Sequence, residues 1–521
     1  MKFCLMCVFT IMSIPLWLIA RSSGAFEECR VMDSKWHNIN EVELQITNYG
    51  RIADCIWPKG SNEHYIYGAG IWFGEVDSLT HDTLVTVGYG PHGGESEFAP
   101  GLHTQDPMSP SAIIYMYPDP WPAPLDTFPM APQDIVSHQD SWCCYNDCDS
   151  NYHIPGDTRP IGIEVYQTVY AWDRPDVMDM IFMVLETKNV CDNYLKDCYI
   201  GFCADIDIGN EAAPNQNDLN NLILGKWYVI DGESLWVDNL AFQWQEDPEP
   251  GWVEFSGVIG CDLLQTPFDL EEGQDKDNDG IPDQFERDSA YYVDNLPSDM
   301  WDVDSDNVPD WRDPSQWPQL GMTAFKRFSL QVEPNLDPER YMTLAGYNYL
   351  TGEYEPYDTL PTQPDDQRFI LSSGPFDLAP DSSVTIIYAL LFANWIDIYE
   401  RPDTALVEID QMAEEYYEMF WHLYTGVAEF SQQEELPLQL FVQPNPASHH
   451  VNIVYSSCAS GDVSLKLYDI LGRLQRDIFQ GYQSAGTYSL NVTTRGMSQG
   501  TYFLVFETPE RKQSMPIVII R

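Results

Sequence analysis

Acidic side chains recur at regular spacing in the middle of the chain, between residues 275 and 313. In the first copy, oxygen groups occupy positions 1, 3, 5, 7, 9 and 12 of a loop that has Gly280 at position 6. They belong to Asp275, Asp277, Asp279, Ile281 (through its backbone carbonyl), Asp283 and Glu286. Calcium takes six to eight oxygen ligands around a tight loop. The spacing therefore predicts a calcium-binding loop.

A second copy starts 27 residues after the first. Its ligand positions hold Asp302, Asp304, Asp306, Val308 (through its carbonyl), Asp310 and Asp313. Asn307 replaces the glycine, which is tolerable because asparagine enters the left-handed region more readily than most residues. Asp313 replaces the bidentate glutamate, so we expect a weaker site. Each copy carries an apolar-Pro-Asp step, and the pair resembles thrombospondin type 3 repeats, which implies structural calcium binding. The alternative is a pair of acidic, solvated turns.

A second acidic group follows a predicted strand and contains Asp205, Asp207 and Asp218. It is a candidate for a further cation site or for a pair of catalytic carboxylates, against the plainer interpretation of an acidic loop. Glycan hydrolysis needs two carboxyl groups about 5–10 Å apart, a distance that sequence does not supply. The chain has no His-Glu-x-x-His, Gly-x-Ser-x-Gly or phosphate-binding glycine loop.

The N-terminus predicts export. Lys2 precedes an apolar run that ends in small residues near Ala25, as in a signal peptide. Beyond residues 1–25 lie ten cysteines, for which disulfides are the default expectation in an exported chain. Local bridges are expected between Cys29 and Cys55, and within two groups: Cys143, Cys144 and Cys148, and Cys191, Cys198 and Cys203. A zinc site of Cys143, Cys144, Cys148 and His153 is the alternative for the first group.

The charge is extreme, with 26 basic residues against 81 acidic ones and a net charge of −55. Such a chain will not bind nucleic acid through its phosphates or an anionic membrane surface. Because 44% of the residues are hydrophobic and 13% aromatic, the chain is globular rather than disordered. We expect an acidic surface that attracts divalent cations.

Most of the body has the alternating apolar pattern of β-strands, broken by 37 prolines and 33 glycines. One amphipathic helix is predicted at 404–425, and the polar stretch 427–437 is typical of a linker. The predicted fold is mainly β, with a large antiparallel β-sandwich body. Its units are expected to be a β-sandwich (26–270), the calcium loops (271–315) and a continuation of the body that ends in the helix (316–426).

The last part of the chain, 438–521, consists of short alternating strands separated by turn residues. It contains Pro444-Asn-Pro446, Tyr468-Asp-Ile-Leu-Gly-Arg473 and Gly500-Thr-Tyr502, and ends in a basic residue. These motifs resemble the type A sorting domain of type IX secretion cargo. The resemblance implies a small immunoglobulin-like β-sandwich, the type IX machinery as a partner, and a secreted or outer-surface location.

Sixteen tryptophans and 30 tyrosines are mostly expected in the core, although some are candidates for a sugar-stacking surface. Five candidates lie in stretches of sequence that are rich in loop-forming residues: Tyr65, Tyr67, Trp72, Trp121 and Trp142. Together these features predict an exported, disulfide-containing, calcium-binding β-protein with a non-catalytic role in binding, adhesion or envelope structure. A secreted polysaccharide or protein hydrolase with an unrecognised site is the alternative.

Overall fold

A computed structural model describes residues 30–519 apart from several short segments. The segments left out are 91–95, 154–158, 210–216, 231, 247–256, 270–273, 276–278, 304–308, 314–315, 330–331, 360–362, 395–400, 421–439, 444–446, 448–449, 458–460, 470–472, 484–485, 495–496 and 509–511. The predicted signal peptide and the linker at 427–437 lie outside the described residues.

The elements of the body are β1 (Ser34–His37), β2 (Glu43–Thr47), β3 (Arg51–Ile56), β4 (His64–Val76), β5 (Thr83–Val87), β6 (Ala99–Pro100), β7 (Tyr115–Met116), β8 (Gln139–Asn146), β9 (Ile163–Ala171), β10 (Met180–Asn189), β11 (Leu195–Gly209), β12 (Asp218–Ile223), β13 (Lys226–Ile230), β14 (Glu233–Val237), β15 (Leu240–Gln245), β16 (Gly257–Gln265), α1 (Ser289–Asn295), β17 (Ala324–Ser329), α2 (Asp337–Leu344), β18 (Tyr347–Asn348), β19 (Glu353–Tyr354), β20 (Gln367–Leu378), β21 (Ser383–Asn394) and α3 (Pro402–Phe420). The C-terminal elements are β22 (Leu440–Gln443), β23 (His450–Ser457), β24 (Gly461–Asp469), β25 (Leu474–Gln483), β26 (Gly486–Thr493), β27 (Gly500–Glu507) and β28 (Lys512–Ile519).

Two large antiparallel sheets form the body, so the prediction of a mainly β fold is confirmed. The first sheet has the order β1-β2-β3-β4-β11-β20-β17, with β5 also on β4. The second has the order β12-β15-β16-β21-β10-β9-β8-β6, with β7 also on β8. Strands β20 and β21 come after the acidic loops in the chain. In the sheets, however, β20 pairs with β11 and β21 lies between β16 and β10, all of which come before the loops.

The core lies between the two sheets. The Phe202 ring on β11 contacts the Tyr388 ring on β21 with centroids 4.5 Å apart, and Tyr65 meets Phe392 edge-on at 5.3 Å. Alternation along β11 explains which residues face this core, because successive side chains of a strand point to opposite faces. Phe202, Ala204 and Ile206 join the core, and the residues between them face the other side of the first sheet.

Helix α3 covers the outer face of the second sheet. Its apolar side chains Leu406, Ala413, Tyr416 and Tyr417 are buried in a cluster with residues of β10, β16 and β21. The helix extends over Pro402–Phe420, so it starts two residues before the predicted position, and residues 421–425 lie outside the described part. None of the helices in the described part of the chain is long and apolar enough to cross a membrane.

The expected local disulfides are not formed in the structure, where the eight described cysteines are unbonded. Cys143 lies in the core between the sheets, whereas Cys144 lies in a cluster on the opposite face of β8. Cys198 and Cys203 are likewise divided between the two faces of β11. Because a strand separates neighbouring side chains in this way, neither a bridge nor a zinc site can join Cys143 to Cys144. Cys29 lies outside the described residues.

The C-terminal strands form a separate small unit. Three strands have the order β22-β23-β26 and four have the order β25-β24-β27-β28, all antiparallel within their sheets. Residues of both sheets share one core, which contains Ile453, Tyr455, Leu465, Leu504 and Phe506.

Candidate metal sites, exposed aromatics and the C-terminal domain

The two acidic loops close in the same way. In the first loop, the N–H of Asp283 donates to the carbonyl of Gln274 at 3.0 Å. In the second, the N–H of Asp310 donates to the carbonyl of Trp301 at 2.9 Å. Each closing aspartate follows a proline and begins a 3₁₀ turn, Asp283–Phe285 and Asp310–Arg312. The repeated spacing in the sequence therefore corresponds to a repeated backbone geometry.

Positions 9 and 12 of both loops bury their carboxylates. Asp283 and Glu286 have no exposed surface, and Asp310 and Asp313 are each 5% exposed. The Tyr292 hydroxyl donates to Glu286 at 3.1 Å. Burying a carboxylate is costly unless hydrogen bonds or a positive charge compensate for the lost water, so four inward-facing carboxylates in one short segment call for such compensation.

The described residues at the head of the first loop form a turn. Gly280 has a φ of 96°, the left-handed conformation expected at position 6. Asp279 accepts the N–H of Ile281 at 2.7 Å, and Ile281 is buried. Asp275 is exposed and Asp302 partly buried. Four predicted ligands lie outside the described residues: Asp277, Asp304, Asp306 and Val308.

Aromatic rings join the two loops into one unit. Phe285 of the first loop stacks on Tyr291 of α1, with centroids 4.4 Å apart. Tyr292, also on α1, meets Trp311 of the second loop edge-on at 5.1 Å. The Trp317 ring N–H donates to the carbonyl of Asp310 at 2.8 Å. Helix α1 therefore contacts both loops.

A second acidic cluster lies on the outer face of the first sheet. Asp205 and Asp207 occupy alternate positions on β11, so their side chains share that face. One carboxylate oxygen from each of them and one from Asp366 all lie within 4.8 Å of one another. Asp205 is fully buried, accepts a hydrogen bond from the Tyr89 hydroxyl and pairs with the Nε of Arg368 at 2.8 Å.

Asp218, the third predicted residue of this group, is fully buried beside the cluster. Its Oδ2 accepts the N–H of Ile208 at 3.4 Å, and its Oδ1 has no hydrogen-bond partner among the described residues. Burial, with the negative charges of Asp207 and Asp366, raises the pKa of Asp218 well above its usual value. Burial and nearby carboxylates raise the pKa of Asp366 to about 6. Close approach of these carboxyl groups therefore disfavours their simultaneous ionisation.

Sequence reasoning missed two members of this cluster, Asp366 and Arg368. Asp366 directly precedes β20 and Arg368 is its second residue, about 160 residues after Asp205 in the chain. Pairing of β20 with β11 sets Arg368 opposite Asp205. The guanidinium of Arg368 also pairs with Glu333 and lies 3.9 Å from Asp366. No local spacing signals this contact, because it depends on sheet register.

The candidate sugar-stacking aromatics are mostly core residues. Tyr65, Trp72 and Trp142 are at most 2% exposed, so that interpretation is wrong for them, and Trp121 is partly buried. Tyr67 is 60% exposed. The prominent exposed pair lies instead on the β13–β14 hairpin, where Trp227 and Trp236 are cross-strand partners.

A cavity of about 360 Å³ lies against the other face of this hairpin. Aromatic rings line part of it, with Phe242 and Trp244 stacked at 5.4 Å. Arg401 and Lys226 both pair with Asp403, at 2.9 Å and 3.3 Å, at its edge. Two cations against one buried carboxylate make this a locally basic spot on an acidic chain.

With both C-terminal sheets and their shared core defined, residues 442–520 match the family model of the secretion system C-terminal sorting domain. This unit is a type IX sorting domain. The family match confirms the resemblance of residues 438–521 to a type IX sorting domain. The protein is therefore secreted or displayed on the outer surface. The family match does not extend to the acidic loops at 275–313.

No curated protein matches the chain. Among solved structures, a polysaccharide lyase aligns over 94% of this chain and 46% of its own, at 8% identity and a TM-score of 0.25. Dimeric latent PorU from Porphyromonas gingivalis aligns over 74% and 32%, at 9% identity and a TM-score of 0.14. A Faecalibacterium prausnitzii beta-glucuronidase aligns over 59% and 47%, at 8% identity and a TM-score of 0.12. The chain spans less than half of each, and these scores carry no argument about activity.

Proposed function

We propose that this exported protein is a non-catalytic binding protein that holds uncharged polysaccharide on its β13–β14 hairpin, with a body stabilised by calcium. One observation carries the binding role. Trp227 and Trp236 face each other across the hairpin with ring centroids 5.2 Å apart and are 64% and 41% exposed. Large exposed apolar patches mark binding surfaces more often than chance exposure does.

The hairpin is built for contact rather than for core packing on this face. Val229, next to the pair, is 73% exposed, while Tyr228 and Val237 on the opposite face are buried against α3. The hairpin forms its own two-stranded sheet, separate from both large sheets. Flat aromatic rings stack on the apolar faces of sugars. The net charge of −55 favours an uncharged glycan over an anionic one, because like charges repel.

Calcium is the proposed stabiliser of the acidic loops. Support comes from the ligand spacing, the matching loop closures and the four buried carboxylates at positions 9 and 12. Oxygen-only ligand sets of this kind suit calcium, and extracellular modules bind it with dissociation constants of roughly 10⁻⁴–10⁻³ M. A bound cation would offset the repulsion among these carboxylates.

The strand cluster of Asp205, Asp207, Asp218 and Asp366 is proposed as a further cation site. Its support is the close approach of three carboxylates and the buried, unpartnered Oδ1 of Asp218 within the described residues. Because Arg368 already supplies one positive charge, we expect weaker calcium binding there than in the loops.

The binding role is tested with residues 26–521 on insoluble polysaccharides, some uncharged and some anionic, in millimolar calcium. Trp227→Ala should reduce retention on at least one uncharged polysaccharide about tenfold or more, which is about 1.4 kcal/mol. Tyr482→Ala, which removes an exposed ring from β25 of the sorting domain, is the matched control and should bind like wild type. Equal retention of both variants, or retention on anionic polysaccharide alone, would contradict the proposal.

Sugar released into the same tubes would favour the alternative, a secreted hydrolase. Glycoside hydrolysis uses one carboxyl group of raised pKa and a second carboxylate, and Asp366 and Asp205 are the first pair to substitute. Retention without release supports the binding role.

A further inference from the structure

Two strands that flank β9 end in the same three-residue pattern. Strand β8 ends at Asn146, two residues before Cys148, and β10 ends at Asn189, two residues before Cys191. In each case the asparagine Oδ1 accepts the cysteine N–H at 3.0 Å. Both strands are antiparallel to β9 and therefore run in the same direction. The two turns thus lie at the same end of these three strands, on either side of β9.

Both turns are tied to the residues that begin β9. The N–H of Asp147 donates to the carbonyl of Ile163 at 3.1 Å, and the Asp147 carboxylate accepts the N–H of Gly162 at 3.0 Å. From the other side, the N–H of Val190 donates to the carbonyl of Gly162 at 2.9 Å. The residues directly before Cys148 and Cys191 are therefore hydrogen-bonded to the same segment, residues 162–163, from its two sides.

Gly162 leaves room for the two side chains to approach each other. A Cβ added to Gly162 would lie 2.7 Å from the Cβ of Cys191 and 3.5 Å from its Sγ, so Cys191 lies directly over this glycine. The φ of Gly162 is 98°, a conformation that side chains rarely tolerate. Burial, then the charges of Asp147 and Glu164 and the nearby Cys191 thiol, raises the pKa of the Cys148 thiol.

Exposure separates this pair from the other cysteines that the structure describes. Cys148 and Cys191 are partly exposed, whereas the other six are buried. An oxidising enzyme can reach a partly exposed thiol, and disulfides form and persist outside the cytoplasm.

We propose that Cys148 and Cys191 form a disulfide in the exported protein, in place of the bridges expected within each local group. The two thiols lose two protons and two electrons to the disulfide of a thiol–disulfide oxidoreductase, which leaves as a dithiol. The bond closes a loop of about 44 residues that contains β9, which restricts the unfolded chain. It also links the place where β8 and β10 end and β9 begins.

Peptide mapping of the secreted full-length protein, alkylated and digested without reduction, tests the bond. Cleavage before aspartate isolates Cys148 in residues 147–148 and Cys191 in residues 179–191, and keeps Cys143 and Cys144 together in 140–146. We expect the first two peptides to be linked and to separate on reduction. Alkylation of both thiols in the native protein, or linkage of either one to another cysteine, would overturn the proposal.

Two variants provide a second measurement. Cys148→Ser and Cys191→Ser should each lower Tm by several degrees, and the double variant should lower it no further, since either change breaks the same bond. A reductant should lower the Tm of wild type and leave that of the double variant unchanged. Additive losses in the two single variants would count against a shared bond.

Discussion

The loops at 275–313 and the strand cluster around Asp205 both bury carboxylates, but they assemble them differently. In the loops, all predicted ligands lie within one short stretch of sequence, and the carboxylates at positions 9 and 12 of each loop are buried. In the strand cluster, the groups come from β11, β12 and the start of β20. There Arg368 supplies a permanent positive charge beside Asp205. We propose that the loops bind a diffusible cation, whereas the strand cluster already contains the positive charge of the Arg368 side chain.

The largest loss of folding stability is expected from removing the positive charge of Arg368. Arg368→Gln removes the positive charge that pairs with the buried Asp205 and Glu333, and breaking a buried ion pair costs about 3–5 kcal/mol. The free energy of unfolding, measured by urea denaturation in chelator, should fall by about this amount. Arg174→Gln, at the more exposed pair with Asp176, is the control and should cost at most about 1 kcal/mol.

Adding millimolar calcium to Arg368→Gln sharpens the test. If the cluster binds a cation, calcium should recover part of the lost stability. No recovery would contradict the proposal of a cation site in this cluster.

Chelation should have the next largest effect. At about 100 times the dissociation constant, a bound ligand stabilises the folded state by about 2.7 kcal/mol per site, so removing calcium should lower Tm by several degrees in scanning calorimetry. The variant Asp283→Asn with Glu286→Gln should lose the share of this response that belongs to the first loop. Asp126→Asn, on an exposed loop, should respond to calcium like wild type. A melt that is insensitive to calcium would refute the structural role of the loops.

A third group of buried carboxyl groups lies under α3 and should make the free energy of unfolding depend on pH. Asp262 on β16 and Asp410 on α3 are buried close to Asp238 and Glu414. Burial and the charge of Asp238 raise the pKa of Asp410 from 3.8 to about 7. Burial and the charges of Asp410, Glu414 and Asp238 raise the pKa of Asp262 well above its usual value. The folded state therefore holds protons that the unfolded chain has released.

The sign of the pH effect follows from this difference in bound protons. Because the folded-state pKa values are raised, the free energy of unfolding should fall as the pH rises from about 4 to about 7. Asp262→Asn, whose amide resembles a protonated carboxyl, should be more stable than wild type at pH 8 and flatten this dependence in urea titrations. An equally steep profile in this variant would exclude the pair as its source. Calcium should not change the result.

The smallest stability change is expected at the proposed binding surface. Trp227→Ala should change the free energy of unfolding by no more than about 0.5 kcal/mol, because the side chain is mostly exposed. Circular dichroism melts compare this variant with Trp142→Ala, a buried ring for which we expect a loss of about 3–5 kcal/mol. A large loss at Trp227 would mean that the ring serves packing rather than binding.

How far the sequence predicts each region depends on the range of its contacts. The matching closures of the two loops follow a spacing that repeats in the sequence, whereas calcium binding by them stays a prediction. The mainly β fold and the sorting domain were predictable, since alternation and turn motifs are local. Arg368 and Asp366 were not, because only the pairing of β11 with β20 brings them to Asp205. The exposure of Trp227 and the burial of Trp72 were not predictable either, because they depend on which distant residues pack against each ring in the folded protein.

The position of β21 has a consequence for the order in which the chain can fold. This strand lies between β16 and β10 in the second sheet, although it is the last strand of the body to be synthesised. Until residue 394 has emerged, β10 and β16 each have an unpaired edge, and unpaired edges attract other chains. A nascent chain that stops before this point cannot close its sandwich. Completion of the sheet therefore coincides with near-completion of the body, shortly before the sorting domain is made.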